Sequence, residues 1–370
     1  MEQGGPKHRH TTRRLAYLAI AVLATGVAVQ LGGCYYMQAV GGQLDLLKRR
    51  EPITDVLADP ALSAEARRKL QLVVEARQFA SDELGLPDNK SYQSYADLER
   101  DYVVWNVFAA GEFELTPVTW CFPVVGCVAY RGYFAEEAAK KYASRLEDKG
   151  YDVRVSGVPA YSTLGRFDDP VLNTMLGWSD AGLISTLFHE LAHQRLFIKN
   201  DTTFNESFAT AVEEAGLERW LERRPDSIDL ERHRAGRQYR AEQTALAEAA
   251  KRDLEAIYAS GLDVDAMRAA KAERLQALTD AARALARDRG FAPGGWLSPP
   301  LNNASLLPVS LYRGRLDAFR ALLAECGQNL ECFYTRCEEL GQLEPDERHA
   351  ALDALERSLQ ASSAKPRRVD

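Results

Sequence analysis

Residues 185–210 read STLFHELAHQRLFIKNDTTFNESFAT, and the organisation of the chain follows from how this stretch folds. The helix that runs into its first half carries an apolar stripe of Leu183, Leu187, Phe188 and Leu191, with Asp180 as the expected cap and an end near Ile198. His189, Glu190 and His193 sit on that helix. Histidines four positions apart lie one turn above each other on one face, so both imidazoles reach a single ion. Glu190 projects roughly 100° round the axis from His189, beside such an ion without being forced to bind it. In this HExxH pattern a zinc ion polarises a carbonyl and acidifies a water, and the glutamate takes the proton. Of six histidines in the chain, two lie within the first ten residues and half of the other four belong to this pattern.

A catalytic zinc takes three protein ligands and keeps one position open. After a short connection containing KND, Thr202 or Thr203 starts a second helix, FNESFATAVEEAGLERWL, with Glu206 expected in its first turn, where the helix dipole favours a carboxylate. A short turn makes the two helices antiparallel and returns Glu206 to the histidines. Glu206 stands thirteen residues beyond His193, so the pattern reads HExxH-x12-E. His189, His193 and Glu206 are the expected ligands of one Zn2+ ion, and Glu190 the general base. Glu213, two turns beyond Glu206 on the same face, is placed to hold a ligand histidine in its tautomer; an exposed helix carboxylate is the plainer reading.

The 370 residues suffice for a substantial core, and 46% hydrophobic with 27% charged residues is the composition of a globular protein. The start is different. A basic stretch, KHRHTTRR, precedes the apolar run LAYLAIAVLATGVAVQL and then LGGC, the order of a secretory signal. An uncleaved N-terminal anchor is the competing reading, although the run is short for a membrane span. Removing residues 1–33 takes away four basic side chains and one acidic, moving the formal charge from −7 to −10. So acidic a chain excludes nucleic acid as a partner, because phosphate contacts need clustered Lys and Arg.

Export makes disulfides the expected use of the cysteines. Cys121 and Cys127 flank a turn-like FPVVG. In ECGQNLECFYTRC two of Cys326, Cys332 and Cys337 bridge and one stays free, with Cys326 and Cys332 the candidates and the pairing open. The paired CxxC form of a zinc knuckle is missing. Residues 102–134 and YDVRVSG, rich in β-branched and aromatic types, read as strands, and VPAYSTLGRF as an edge strand. Ser63 caps a helix running to Leu84. Residues 229–289, rich in Ala, Glu, Arg and Leu and broken at SGLDVD, read as two long helices.

Leu31-Gly32-Gly33-Cys34 resembles the lipobox of bacterial lipoproteins, which implies a lipid on Cys34; Tyr35 after it implies the periplasmic face of the outer membrane. HELAH followed by NESFA resembles the gluzincin superfamily, whose aminopeptidases take a third ligand from a similar stretch with Gly where this chain has Ser207. Together with YSTLGRFDDPVLNTM and NNASL, these motifs resemble a bacterial family of zincin aminopeptidase lipoproteins. The implied fold is α+β and helix-rich, a zincin-like core with a small mixed or antiparallel sheet. The expected division is a signal peptide over 1–33, a tether over 34–61 and the zincin core with the metal-binding helices over 62–224. A helical hairpin over 225–290, a C-terminal helical part packing on the core over 291–358 and a disordered tail over 359–370 complete it.

The implied activity is zinc-dependent hydrolysis of a peptide substrate, with membrane contact through the N-terminal lipid. Zincins add a phenol or imidazole that stabilises the oxyanion, for which Tyr161 and Tyr312 are candidates. An aminopeptidase also needs a carboxylate for the free amine, and Asp168 and Asp169 are candidates, although an Asp before Pro170 is usually a turn residue. The alternative from another class is a non-catalytic lipoprotein scaffold with a structural or vestigial zinc site. Hydrolysis of a non-peptide amide shares the same core.

Overall fold

Val104–Gly111, VWNVFAAG, is the strand around which the sheet is built: Val107, Ala109 and Ala110 have no exposed surface, so both faces are covered. In the computed structural model the described residues are 35–122, 126–160, 162–163, 165–225, 230–292, 298–311 and 315–363. The signal peptide, Cys34, Tyr161, Tyr312 and the end of the expected tail lie outside them. The chain divides into two units at Arg49–Arg50. In the first, residues 35–48 form a helix, α1, where Gly41-Gly42 suggested a tether.

The second unit begins with β1 (Arg50–Pro52), α2 (Ile53–Ala58) and α3 (Ala64–Asp82). Residues 50–58, grouped with the tether in the sequence reading, carry the buried Ile53 and Val56. Ser63 caps α3 by accepting from Ala66 N at 3.2 Å. Next come β2 (Ser94–Ala96), β3 (Val104–Gly111), β4 (Trp120–Phe122), β5 (Gly126–Val128), β6 (Arg131–Tyr133), α4 (Glu136–Glu147), β7 (Tyr151–Val158) and β8 (Val171–Leu172). The central sheet has the order β6-β3-β7 and is antiparallel throughout. A second sheet, β1-β2-β8, joins one antiparallel and one parallel pair, and β4-β5 is a hairpin. The expected edge strand over 158–167 is not formed among the described residues, which turn and bend after Val158.

The helices follow: α5 (Asn173–Leu176), α6 (Asp180–Arg195), α7 (Thr202–Arg223), α8 (Leu230–Tyr258), α9 (Val264–Arg289), α10 (Asn303–Leu311), α11 (Leu316–Glu325), α12 (Leu330–Gln342) and α13 (Pro345–Ser363). The fold is α+β and helix-rich, with small sheets. An aromatic core joins α3, α6, α7, α11 and α12. Phe79 lies between Phe188 and Trp220, and Phe208 stacks on Phe333 at 5.8 Å while Phe319 sits edge-on to Phe204. Burying each such ring removes about 150–250 Å² from water.

The pair α8 and α9 packs through Ala247, Ala250, Leu254, Leu275, Leu278 and Ala282, joined by Leu306 of α10. It is clipped to the sheet by polar bonds. The Lys271 ammonium donates to Asp152 at 2.6 Å and to the Glu112 carbonyl at 2.7 Å, and the Asn303 amide donates to the carbonyls of Gly111, Glu112 and Glu114. Cys121 is bonded to Cys127, directly opposite it in the β4-β5 register, and Cys326 to Cys332, leaving Cys337 buried and free.

Candidate metal centre

The cap that starts α6 is Ser179, not Asp180: its Oγ accepts from Gly182 N at 3.1 Å. Asp180 is taken by cations on α3, at 2.7 Å from the buried Lys69 and 2.6 Å from Arg68. Both residue types cap well, and the partners on α3 decide between them. The helix buries Leu183, Leu187, Phe188 and Leu191 against the core.

The turn to α7 is fixed three times over. Asp201 caps α7 by accepting from Phe204 N at 3.0 Å. Its other oxygen accepts from Arg348 Nε at 2.8 Å, a pair that is almost wholly buried. Asn205 clamps the connection from the other side, accepting from Ile198 N and donating to Ile198 O, each at 2.7 Å. Glu206 follows directly, as the fifth residue of the helix and so just past the expected first turn. The helices run antiparallel: His189 meets Glu213 while His193 meets Glu206. At Gly216 they approach so closely that a Cβ would stand 2.8 Å from Phe188 Cδ2 and from Leu84 Cδ1.

Three donors therefore converge. His189 Nε2 and His193 Nε2 are 3.2 Å apart, His189 Nε2 lies 3.3 Å from Glu206 Oε2, and His193 Nε2 lies 3.5 Å from Glu206 Oε1. His189, His193 and Glu206 form the one His/Cys/Asp/Glu cluster of metal-binding geometry among the described residues. Tetrahedral zinc with bonds of about 2.0–2.1 Å separates its ligand atoms by roughly 3.3 Å. The donor set and its spacing fit such an ion, and a triangle of three leaves the fourth position open.

Electrostatics point the same way. Burial disfavours a charged His189 imidazole, but bonds to Glu206 and Glu213 outweigh it and raise its pKa to about 10. Burial likewise opposes an ionised Glu206, and its bonds to both histidines outweigh it and lower its pKa to about 2. The two imidazoles and the Glu206 carboxylate thus face one another across the cluster. Glu213 Oε2 lies 3.2 Å from His189 Nδ1, on the far side of that ring from the cluster. The Nδ1 of His193 is buried with no such partner among the described residues.

Two phenols outside the expected candidates lie within Coulombic reach of Glu190. The Tyr130 hydroxyl is pushed up by burial and then by the charges of Glu206 and Glu190. Tyr92 is held at φ +63° by Asp169, whose carbonyl accepts from its backbone N at 2.6 Å. Its phenol is raised well above the ordinary value by burial, then by Glu190 and Asp169. No local pattern marks either residue: Tyr130 ends a strand-rich stretch and Tyr92 follows a Pro-Asp-Asn turn. Asp169, a candidate amine holder, is buried and accepts from Thr163 N, Thr163 Oγ1 and Ser162 Oγ, so it organises its own loop. Asp168 offers its carbonyl to Arg50 at 2.7 Å. Ser207 is buried and accepts from Arg315 N at 3.2 Å.

An α+β, helix-rich chain with two histidines and a glutamate gathered from consecutive antiparallel helices defines a class with a candidate metal centre. The chain belongs to the family described as "Putative aminopeptidase", which it matches over residues 34–352, and is thereby of the peptidase kind. No protein of curated function and no solved structure matches it.

Proposed function

We propose that the protein is a zinc-dependent aminopeptidase of gluzincin type with a zincin-like core. The observation that carries this reading is the convergence of His189, His193 and Glu206 at the spacing of tetrahedral ligands, with Glu190 within Coulombic reach of His189. A zinc ion held by these three residues would polarise the scissile carbonyl and make water acidic enough to lose a proton near neutral pH. Glu190 receives that proton on its carboxylate and delivers it to the leaving amine. Glu213 keeps the His189 Nδ1 protonated, which leaves Nε2 a lone pair for the cluster. Tyr130, within Coulombic reach of both Glu206 and Glu190, is a candidate among the described phenols to donate to a developing oxyanion.

The sequence supports export and attachment to the periplasmic face of the outer membrane by a lipid on Cys34, with residues 62–224 as the catalytic part. The deciding experiment compares the wild type with Glu190→Gln on aminoacyl arylamides and on internally quenched peptides. The expected result is turnover of the arylamides by the wild type, and full zinc content without turnover in the variant. Equal activity in the two proteins, or cleavage of quenched peptides alone, rejects the assignment.

A further inference from the structure

We propose that α1 lies along a phospholipid surface, with a stripe of apolar side chains sunk into the interface. The helix spans 35–48 and presents Tyr36, Met37, Val40 and Leu44 to solvent, at 45%, 75%, 58% and 50% exposure. These positions recur at the helical period and form one line along the axis. Leu46, which projects from the opposite side, is buried. Farther along the exposed line the character changes to Asp45 and Lys48. The helix is thus apolar toward its start and charged toward its end.

What covers such a stripe is indicated by where it begins. The apolar run Leu15–Leu31 and then Gly32-Gly33-Cys34 come immediately before the helix. Either fate of that segment, acylation of Cys34 after cleavage or retention as an anchor, leaves a bilayer at residue 34. At about 1.5 Å per residue, Leu44 is then only roughly 15 Å of helix from the attachment point. Tethering at that range makes contact with lipid intramolecular, so a stripe too weak to bind alone binds because the anchor holds it there. Asp45 and Lys48 fall where the helix leaves the interface. The inference rests on the membrane attachment proposed above and is independent of the peptidase reading.

The test uses the full chain reconstituted in phosphatidylethanolamine–phosphatidylglycerol vesicles with or without mid-chain brominated lipid. Tryptophan is placed at either end of the exposed line, Val40→Trp or Lys48→Trp, and its emission is read as the difference from the parent chain. The expected result is blue-shifted Val40→Trp emission quenched about twofold or more by brominated lipid, with Lys48→Trp emission water-like and unquenched. Val40→Trp emission that stays water-like while the chain floats with the vesicles overturns the proposal and leaves the attachment intact. Blue-shifted but unquenched emission that grows with protein density marks a second copy as the occupant and overturns it also. A chain that does not float at all rejects both the attachment and the lipid-facing stripe.

Discussion

Oε2 of Glu213 lies 3.2 Å from Nδ1 of His189, while Nε2 of the same ring faces Glu206 and His193. One imidazole thus spans two carboxylates two turns apart on α7, and its orientation is set from both sides. The His193 ring has no counterpart to Glu213 among the described residues.

Replacing Glu213 by Gln removes the charge that favours a proton on Nδ1 and leaves the side chain's volume in place. Zinc affinity is expected to fall about 10–100-fold, as when an outer partner of a ligand histidine is lost. Competition against a chromophoric chelator measures this directly. An unchanged affinity would assign Glu213 a purely structural role.

The cluster of His189, His193 and Glu206 was legible because most of what assembles it is local. Spacing of four on a helix and a short turn bring Glu206 back to the histidines within one stretch of chain, although Arg348 of α13 also braces that turn. The β3, β6 and β7 strands were legible from their β-branched and aromatic residues. What escaped depends on partners far along the chain. Asp180 looks like a cap, but Lys69 and Arg68 on α3 take it and leave the cap to Ser179. VPAYSTLGRF looks extended, but the Asp169 carboxylate gathers Ser162 and Thr163 into a loop. Tyr92 and Tyr130 come from loops that lie long before the histidine helix, so nothing near HELAH announces them. Gly41-Gly42 suggested a tether, and both lie inside α1.

The buried pair between Asp201 and Arg348 links the start of α7 to α13, which adds an ion pair to the cap. Removing Arg348 leaves the buried Asp201 carboxylate with only the Phe204 N–H and the His349 ring, 3.4 Å away, a loss of up to about 3–5 kcal/mol. Arg348→Met is therefore expected to lower the unfolding free energy by about that amount in urea titrations. Asp201→Asn combined with Arg348→Met should recover much of it, because Asn still caps the helix and no charge is stranded. A double variant no better than Arg348→Met would show that the Arg348 bonds to the Gly341 and Leu343 carbonyls account for the loss.

Asn205 makes two bonds to one residue, Ile198, across the turn that precedes Glu206. Asn205→Ala strands the N–H of Ile198, whose C=O keeps the Asp201 N–H at 3.3 Å, and is expected to cost about 1–3 kcal/mol for the group left unsatisfied. It also frees the segment that aims Glu206, so zinc affinity should fall along with the urea midpoint. Asn205→Asp keeps the acceptor for Ile198 N and should lie between the two. If Asn205→Ala binds zinc as the wild type does, the clamp serves stability alone.

Asp180 supplies the pH dependence. Its carboxyl is held below the ordinary value by a bond from Arg68, opposed by partial burial and reinforced by Lys69. Because the folded-state pKa is the depressed one, its contribution is complete above the unfolded value of about 4. That contribution is lost as pH falls through the folded value, where the native carboxylate finally takes a proton. Asp180→Asn removes the titration and leaves the buried Lys69 ammonium with the Trp178 carbonyl and, at most, a neutral amide oxygen. At pH 7 the variant should be less stable by about 1–3 kcal/mol, and the gap should close below about pH 4 as the wild type loses the same charge. Urea titrations of both proteins from pH 7 to pH 3 measure this. A gap independent of pH would mean that the Asp180 side chain acts by shape and hydrogen bonding rather than by its charge.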